Sequence, residues 1–134
     1  VVIELARSAE WARAVVFVNG HGGNVTAMQR AAEVFEVERR DVLIWWPHVP
    51  DGDPHAGHTE TSLMLSLTPD RVRSDRAVTG PVPDLAELVR HGVRALSDSG
   101  VLGDPTDASP DDGARIFGRL ADRLAADVDD WLSG

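Results

Sequence analysis

Two short segments hold most of the side chains that could do chemistry. The first is Asn19-Gly20-His21-Gly22-Gly23-Asn24, a histidine set among glycines directly after the apolar run Ala14 to Val18. Glycines let the backbone turn tightly and let a ligand approach it closely. A helix starting beyond such a turn presents unpaired N–H groups. A phosphate loop needs a Lys-Ser or Lys-Thr pair after its glycines, and a dinucleotide fingerprint needs a third glycine where Val25 stands, so both readings fail. By itself the segment reads equally as a turn carrying a solvated histidine. The second segment, Asp53-Pro54-His55-Ala56-Gly57-His58-Thr59-Glu60-Thr61-Ser62, packs two histidines and two carboxylates where a loop gives way to a helix. On one continuous helix His55 and Glu60 would point about 140° apart. They converge only if His55 precedes the helix and Glu60 lies in its first turn. The alternative is a polar surface loop with a Thr or Ser cap.

Composition narrows the chemistry. There is no cysteine, so any metal must sit on nitrogen and oxygen ligands, a donor set that suits zinc, manganese and iron alike. With 13 basic against 22 acidic residues the net charge is -9, and nucleic acid is not an expected partner. No apolar run approaches the ~20 residues that cross a bilayer. No membrane partner is expected, and the cytoplasm is the default location.

The elements that must position these groups follow from apolar spacing. Val1, Val2, Leu5 and Ala9 repeat at helical intervals without a capping residue ahead, which suggests a chain beginning inside a helix of a longer protein. Ala14 to Val18 and Val42 to Trp46 read as strands buried on both faces of a parallel sheet, and Val25, Met28, Ala32 and Phe35 form one stripe of the helix between them. That order predicts an α/β fold with a right-handed crossover and helices on both faces. Open α/β sheets bind ligands at the carboxyl ends of their strands, where His21 falls. Pro47 to His58 is a loop, Leu63 to Leu67 a short buried helix, and Leu85, Leu88, Val89 and Leu96 suggest a further helix closed by Ser97 to Gly103. The last helix has Ser109 as N-cap, Pro110 at its first position, and Ile116, Leu120, Leu124 and Trp131 facing inward. Residues 1–134 read as a single domain.

The Asn-Gly-His-Gly-Gly-Asn turn, the His-Ala-Gly-x-x-Glu-Thr-Ser segment beginning at His55, and Gly100-Val101-Leu102-Gly103-Asp104-Pro105 before a final helix resemble, in order and approximate spacing, the creatininase family of metal-dependent amidohydrolases. The resemblance covers essentially the whole chain. Within the family, the Glu-Thr-Ser-Leu-Met-Leu run and the Gly-Val-Leu-Gly-Asp-Pro-Thr wording look most like the mycofactocin-system members, peptidases that release a C-terminal Val-Tyr dipeptide from a modified precursor peptide. The resemblance implies a three-layer α/β/α sandwich with a mostly parallel sheet, a homohexamer, and two divalent metals (Zn, Mn or Fe) bridged by an aspartate and a water or hydroxide. It makes His21 a metal ligand and Glu60 the carboxylate of the second metal, in place of a glutamate that founding members carry where Gly23 stands. His55 becomes the catalytic histidine beside the substrate, with Gly22, Trp46 and Asp53 lining the pocket. His48 and His58 match no family ligand.

One departure stands out: no Glu-x-His-Gly segment or metal-bridging aspartate precedes His21, so the amino-terminal part of the family domain is missing from these residues. The leading expectation is a metal-dependent hydrolase of amide or peptide bonds, on a peptide or small amide substrate, with His55 and Glu60 at its centre. Creatinine or formamide amidohydrolysis is the alternative within the family. A non-catalytic assembly module lacking the upstream ligands is the alternative from another class, and a nucleotide-binding module on the glycine turn has the least support.

Overall fold

β-Branched and aromatic residues dominate Val15–Val18 and Val42–Trp45. In the computed structural model, which describes all 134 residues, these runs form strands β1 and β2. They pair in parallel, with Val15 opposite Val42 and Val18 opposite Trp45. Parallel neighbours need a crossover, and helix α2 (Val25–Val37) supplies it. Successive side chains alternate across the sheet. Phe17, Val42 and Ile44 therefore share one face, where they meet Ala6 of helix α1 (Val2–Ser8) and Ala31 and Phe35 of α2. Phe17 and Phe35 stack with ring centroids 6.1 Å apart. Trp45 points to the other face, and its indole N–H donates to Asp127 Oδ2 at 2.9 Å, in the final turns of helix α6 (Pro110–Ser133). That bond, with help from Arg123, holds the Asp127 carboxyl below the usual carboxylate range. Helices cover both faces of this strand pair, and the expected α/β class with a parallel sheet is what the chain adopts.

The strands are less enclosed than their composition suggests. Each has a neighbour on one edge only, so Val18 remains 57% exposed and Trp45 alone is buried.

Close packing divides the chain into two units, Val1–Pro47 with Arg123–Gly134, and His48–Asp122. The second contains helices α3 (His58–Leu67), α4 (Leu85–His91) and α5 (Val93–Leu96), two 3-10 turns, and the first part of α6. The helix expected from Leu85 to Leu96 breaks at Gly92, whose φ of 72° lies in the left-handed region that glycine tolerates. Helix α3 begins at His58, ahead of the expected Leu63. At the start of α6 the expected cap is present: Ser109 Oγ accepts the Asp112 N–H at 3.1 Å. Of the apolar positions expected inward on α6, Ile116 is buried and Leu120, Leu124 and Trp131 are half-buried. No helix is long and apolar enough to cross a membrane.

Glu38, just after α2, is held between Arg7 and Arg40. The hydrogen bond from Arg7, then that from Arg40, brings its carboxyl down to about 2 from an ordinary 4.5. A depressed carboxylate contributes stability above its unfolded value and loses it as pH falls through the folded one. Between about pH 4.5 and 2 the Glu38→Gln variant is accordingly expected to show a shallower loss of stability than the parent, read from urea midpoints at each pH. Parallel curves would remove Glu38 from the acid response.

Candidate active site

His21 is placed by the residue two positions before it. Asn19 continues the ladder of β1, its N–H donating to Trp45 O at 2.9 Å, and its side chain is buried under the turn. Its Nδ2 donates to His21 O and its Oδ1 accepts from Asn24 Nδ2, both at 2.9 Å. Asn24 N–H also donates to His21 O, at 3.1 Å. The two asparagines thus bracket the turn and fix the His21 backbone while its imidazole stays exposed. The ring lies over Gly23, where a Cβ would come 2.7 Å from its Nε2. Gly22 is exposed at the start of the 3-10 turn Gly22–Asn24. Trp46, just past β2, lines a groove of the first unit with Met28, Ala32 and Ile44.

Losing Asn19 strands two polar partners in a partly buried turn, which costs about 1–3 kcal/mol. Asn19→Ala is expected to lower the unfolding free energy by that amount. A change within about 0.5 kcal/mol, the size of an ordinary surface substitution, would show that the bracket is dispensable.

The second cluster is assembled from the two motif segments that fall in the His48–Asp122 unit, the one around His55 and the one around Leu102. His55 precedes α3 and Glu60 lies in its first turn, the one arrangement in which the two can converge. His55 Nδ1 stands 3.6 Å from Glu60 Oε2. Ala56, in the left-handed region at φ 52°, turns its N–H onto the same oxygen at 2.5 Å. Glu60 Oε1 is left without a hydrogen bond. The backbone of His55 is pinned to Leu102 by a two-way antiparallel bridge, N–H to O at 3.2 Å and the reverse at 2.8 Å, and Leu102 is completely buried. The glycine-flanked segment Val101 to Asp104 thus has a physical role: it clamps the catalytic candidate. Asp104 stiffens it by accepting from Thr106 and from Thr79, and these bonds, the Thr106 hydroxyl first, hold its carboxyl below the usual range.

Asp53 sits beneath this cluster. Its carboxylate accepts the backbone N–H groups of His58 and, at 3.0 Å, Thr59, which are among the unpaired donors opening α3. A Cβ on either Gly57 or Gly103 would collide with that carboxylate, so the glycines of two motifs leave the space it occupies. His58 lies between two acids, with Nδ1 3.0 Å from Asp107 and Nε2 3.3 Å from Asp112, and so ties α3 to the start of α6. His48 is exposed in the loop after β2. Asn19 and Leu102 both lie in segments the sequence singled out, but their own roles, bracketing the turn and clamping His55, show only in the fold.

Known proteins resemble this chain over nearly its whole length. A family model described as Creatininase: Creatinine amidohydrolase matches residues 1–128. The chain belongs to the creatininase family. A mycofactocin precursor peptide peptidase from Mycobacterium tuberculosis is 49% identical over 137 aligned residues, 98% of this chain and 54% of that protein. A crystal structure of creatinine amidohydrolase (creatininase) superposes with a TM-score of 0.73 at 25% identity, covering 95% of this chain and 58% of that one. A mutant creatininase of the Zn–Zn type gives 0.71 at 25% identity, over 95% and 58%. The chain spans about half the length of the curated relatives it matches.

Creatininase relatives with zinc raise the question of whether these residues suit a metal. The His21 nitrogen and the Glu60 oxygens are donors that zinc, manganese and iron accept. No three His, Asp or Glu side chains gather into a set that could hold an ion. These residues therefore do not complete a metal site by themselves.

Proposed function

We infer that this chain forms part of a hydrolase acting on amide bonds in a peptide, with His55 and Glu60 doing acid–base work. The observation that carries the reading is the His55–Glu60 pair, held at 3.6 Å on a backbone clamped to buried Leu102. Relatives named as peptidases support it, as does the location of His21 beyond the end of a parallel strand. In this scheme Glu60 keeps Oε2 toward Ala56 and His55, while Oε1 is free to take the proton of an attacking water. The water oxygen bonds to the carbonyl carbon, and Glu60 passes the proton it took from the water to His55. The carbon–nitrogen bond breaks as His55 hands that proton to the leaving amine, which returns both side chains to their starting state. Imidazole suits that step because it gains and loses protons near neutral pH.

The finer reading follows the family resemblance of the sequence: release of the C-terminal Val-Tyr dipeptide from the mycofactocin precursor, in the cytoplasm, by a homohexamer. Relatives named mycofactocin precursor peptide peptidase support its peptide substrate. His21 and Glu60 are the donors this chain offers to divalent ions, and Gly22, Trp46 and Asp53 are its candidates for substrate contact or for support of the pocket. Metal dependence is tested by elemental mass spectrometry on the full-length enzyme after dialysis without chelator. Near-stoichiometric zinc, manganese or iron is expected in the parent, with loss from His21→Ala and Glu60→Ala. Equal metal in all three proteins would remove both residues from the ligand set.

A further inference from the structure

The chain carries a net charge of -9, yet one surface of the second unit collects cations. Arg71 closes the 3-10 turn Pro69–Arg71, Arg76 closes the turn Ser74–Arg76, and Arg73 lies between them. All three line one open cleft of about 430 Å³, and Glu60 and Ala56 line it too. The cleft therefore reaches the Glu60 end of the His55–Glu60 pair. Arg71, Arg73 and Arg76 pair with no carboxylate, as is also true of Arg13, Arg30, Arg39, Arg90, Arg94 and Arg119; what sets these three apart is the cleft they share beside Glu60. Three like charges lining one cleft raise the local potential for an anion there. Their remaining unpaired beside a candidate catalytic group suits an anion that arrives with the substrate. Met64, Val72 and Val78 add an apolar wall to the same cleft, and Met64 and Val78 are exposed there.

We propose that this cleft binds the free C-terminal carboxylate of the peptide substrate through Arg71, Arg73 and Arg76, with the terminal apolar side chain against Met64, Val72 and Val78. Guanidinium matches carboxylate in a two-pronged, charge-assisted geometry, and an exposed apolar wall beside it selects a large terminal side chain. Because Glu60 borders the same cleft, anchoring the terminus here restricts cleavage to bonds near the end of the peptide. The site rests on the peptide-hydrolase reading of His55 and Glu60, and it names the part of the substrate they would act beside.

The test is fluorescence anisotropy with an N-terminally labelled peptide ending in valine-tyrosine, as free acid and as C-terminal amide, on the full-length enzyme. The free acid is expected to bind roughly tenfold tighter or more. The combined variant Arg71→Gln, Arg73→Gln, Arg76→Gln is expected to erase that difference and leave amide binding unchanged. If the triple variant fails to fold by circular dichroism, Arg73→Gln alone should narrow the difference at least threefold. Equal binding of acid and amide, no binding of either, or discrimination that survives the substitutions overturns the proposal. A changed sedimentation coefficient with discrimination intact would assign the arginines to a contact between copies instead. Cleavage is read in parallel: discrimination without hydrolysis retains this site and removes the hydrolase reading, and equal hydrolysis of acid and amide does the reverse.

Discussion

Glu60→Gln should lower kcat/KM for peptide hydrolysis by roughly 10²–10⁴-fold, the range that positioned acid–base groups contribute. The substitution is nearly isosteric and retains an oxygen for the Ala56 N–H, so the start of α3 should persist while the carboxylate's capacity to take a proton is lost. His55→Ala should fall by a similar factor. Its backbone bridge to Leu102 does not depend on the side chain, so thermal unfolding should move little. Because the two groups stand 3.6 Å apart and serve one proton-transfer sequence, the double variant should lose far less than the product of the single losses. Steady-state kinetics with a mass-spectrometric readout checks all three. Losses below threefold, or single losses that multiply cleanly, would separate Glu60 from His55 and remove the pair as a catalytic unit.

The second large effect is on folding. Gly113 lies on the buried face of α6, where an added Cβ would run into the backbone carbonyl of Ser62. Ser62 is itself fully buried and accepts the Ser109 N–H at 3.1 Å, so neither helix can yield without disturbing the other. Overpacking against a side chain costs about 1–3 kcal/mol, and contact with backbone belongs at or above the upper end. Gly113→Ala is expected to destabilise by about 3 kcal/mol and lower Tm by roughly 10 °C. Gly118, on the same helix, meets nothing within 4 Å of its ideal Cβ. Gly118→Ala should therefore stabilise by up to about 1 kcal/mol, through helix propensity and a less flexible unfolded chain. Outcomes of opposite sign from these two glycines would be hard to produce by any general effect of alanine. A neutral Gly113→Ala would instead show that α3 and α6 do not approach as described.

Much of the frame was legible because local patterns carry it. The apolar runs at Val15–Val18 and Val42–Trp45 became parallel strands, and Ser109 and Pro110 marked the start of α6 correctly. The condition under which His55 and Glu60 could meet followed from helical geometry alone, and it is the one the chain satisfies. What escaped the sequence depends on distant partners. The helix over Leu85 to Leu96 has continuous apolar spacing, but Gly92 adopts a left-handed conformation that spacing does not encode. Leu102 looks unremarkable until it pairs with His55 from far along the chain. Asp53 stands too far ahead of α3 to be recognised as its cap, because only the turn through Gly57 brings it back to the helix end. Arg71, Arg73 and Arg76 drew no notice in the sequence, because only the shared cleft connects them with Glu60.

The most direct measurement is mass-spectrometric detection of dipeptide release from a synthetic peptide ending in valine-tyrosine, by the full-length enzyme that contains this chain, with zinc, manganese or iron supplied in turn. Time-dependent release that disappears in Glu60→Gln is the expected result. An intact peptide with every metal, or release at an unchanged rate from the Glu60→Gln enzyme, would contradict it.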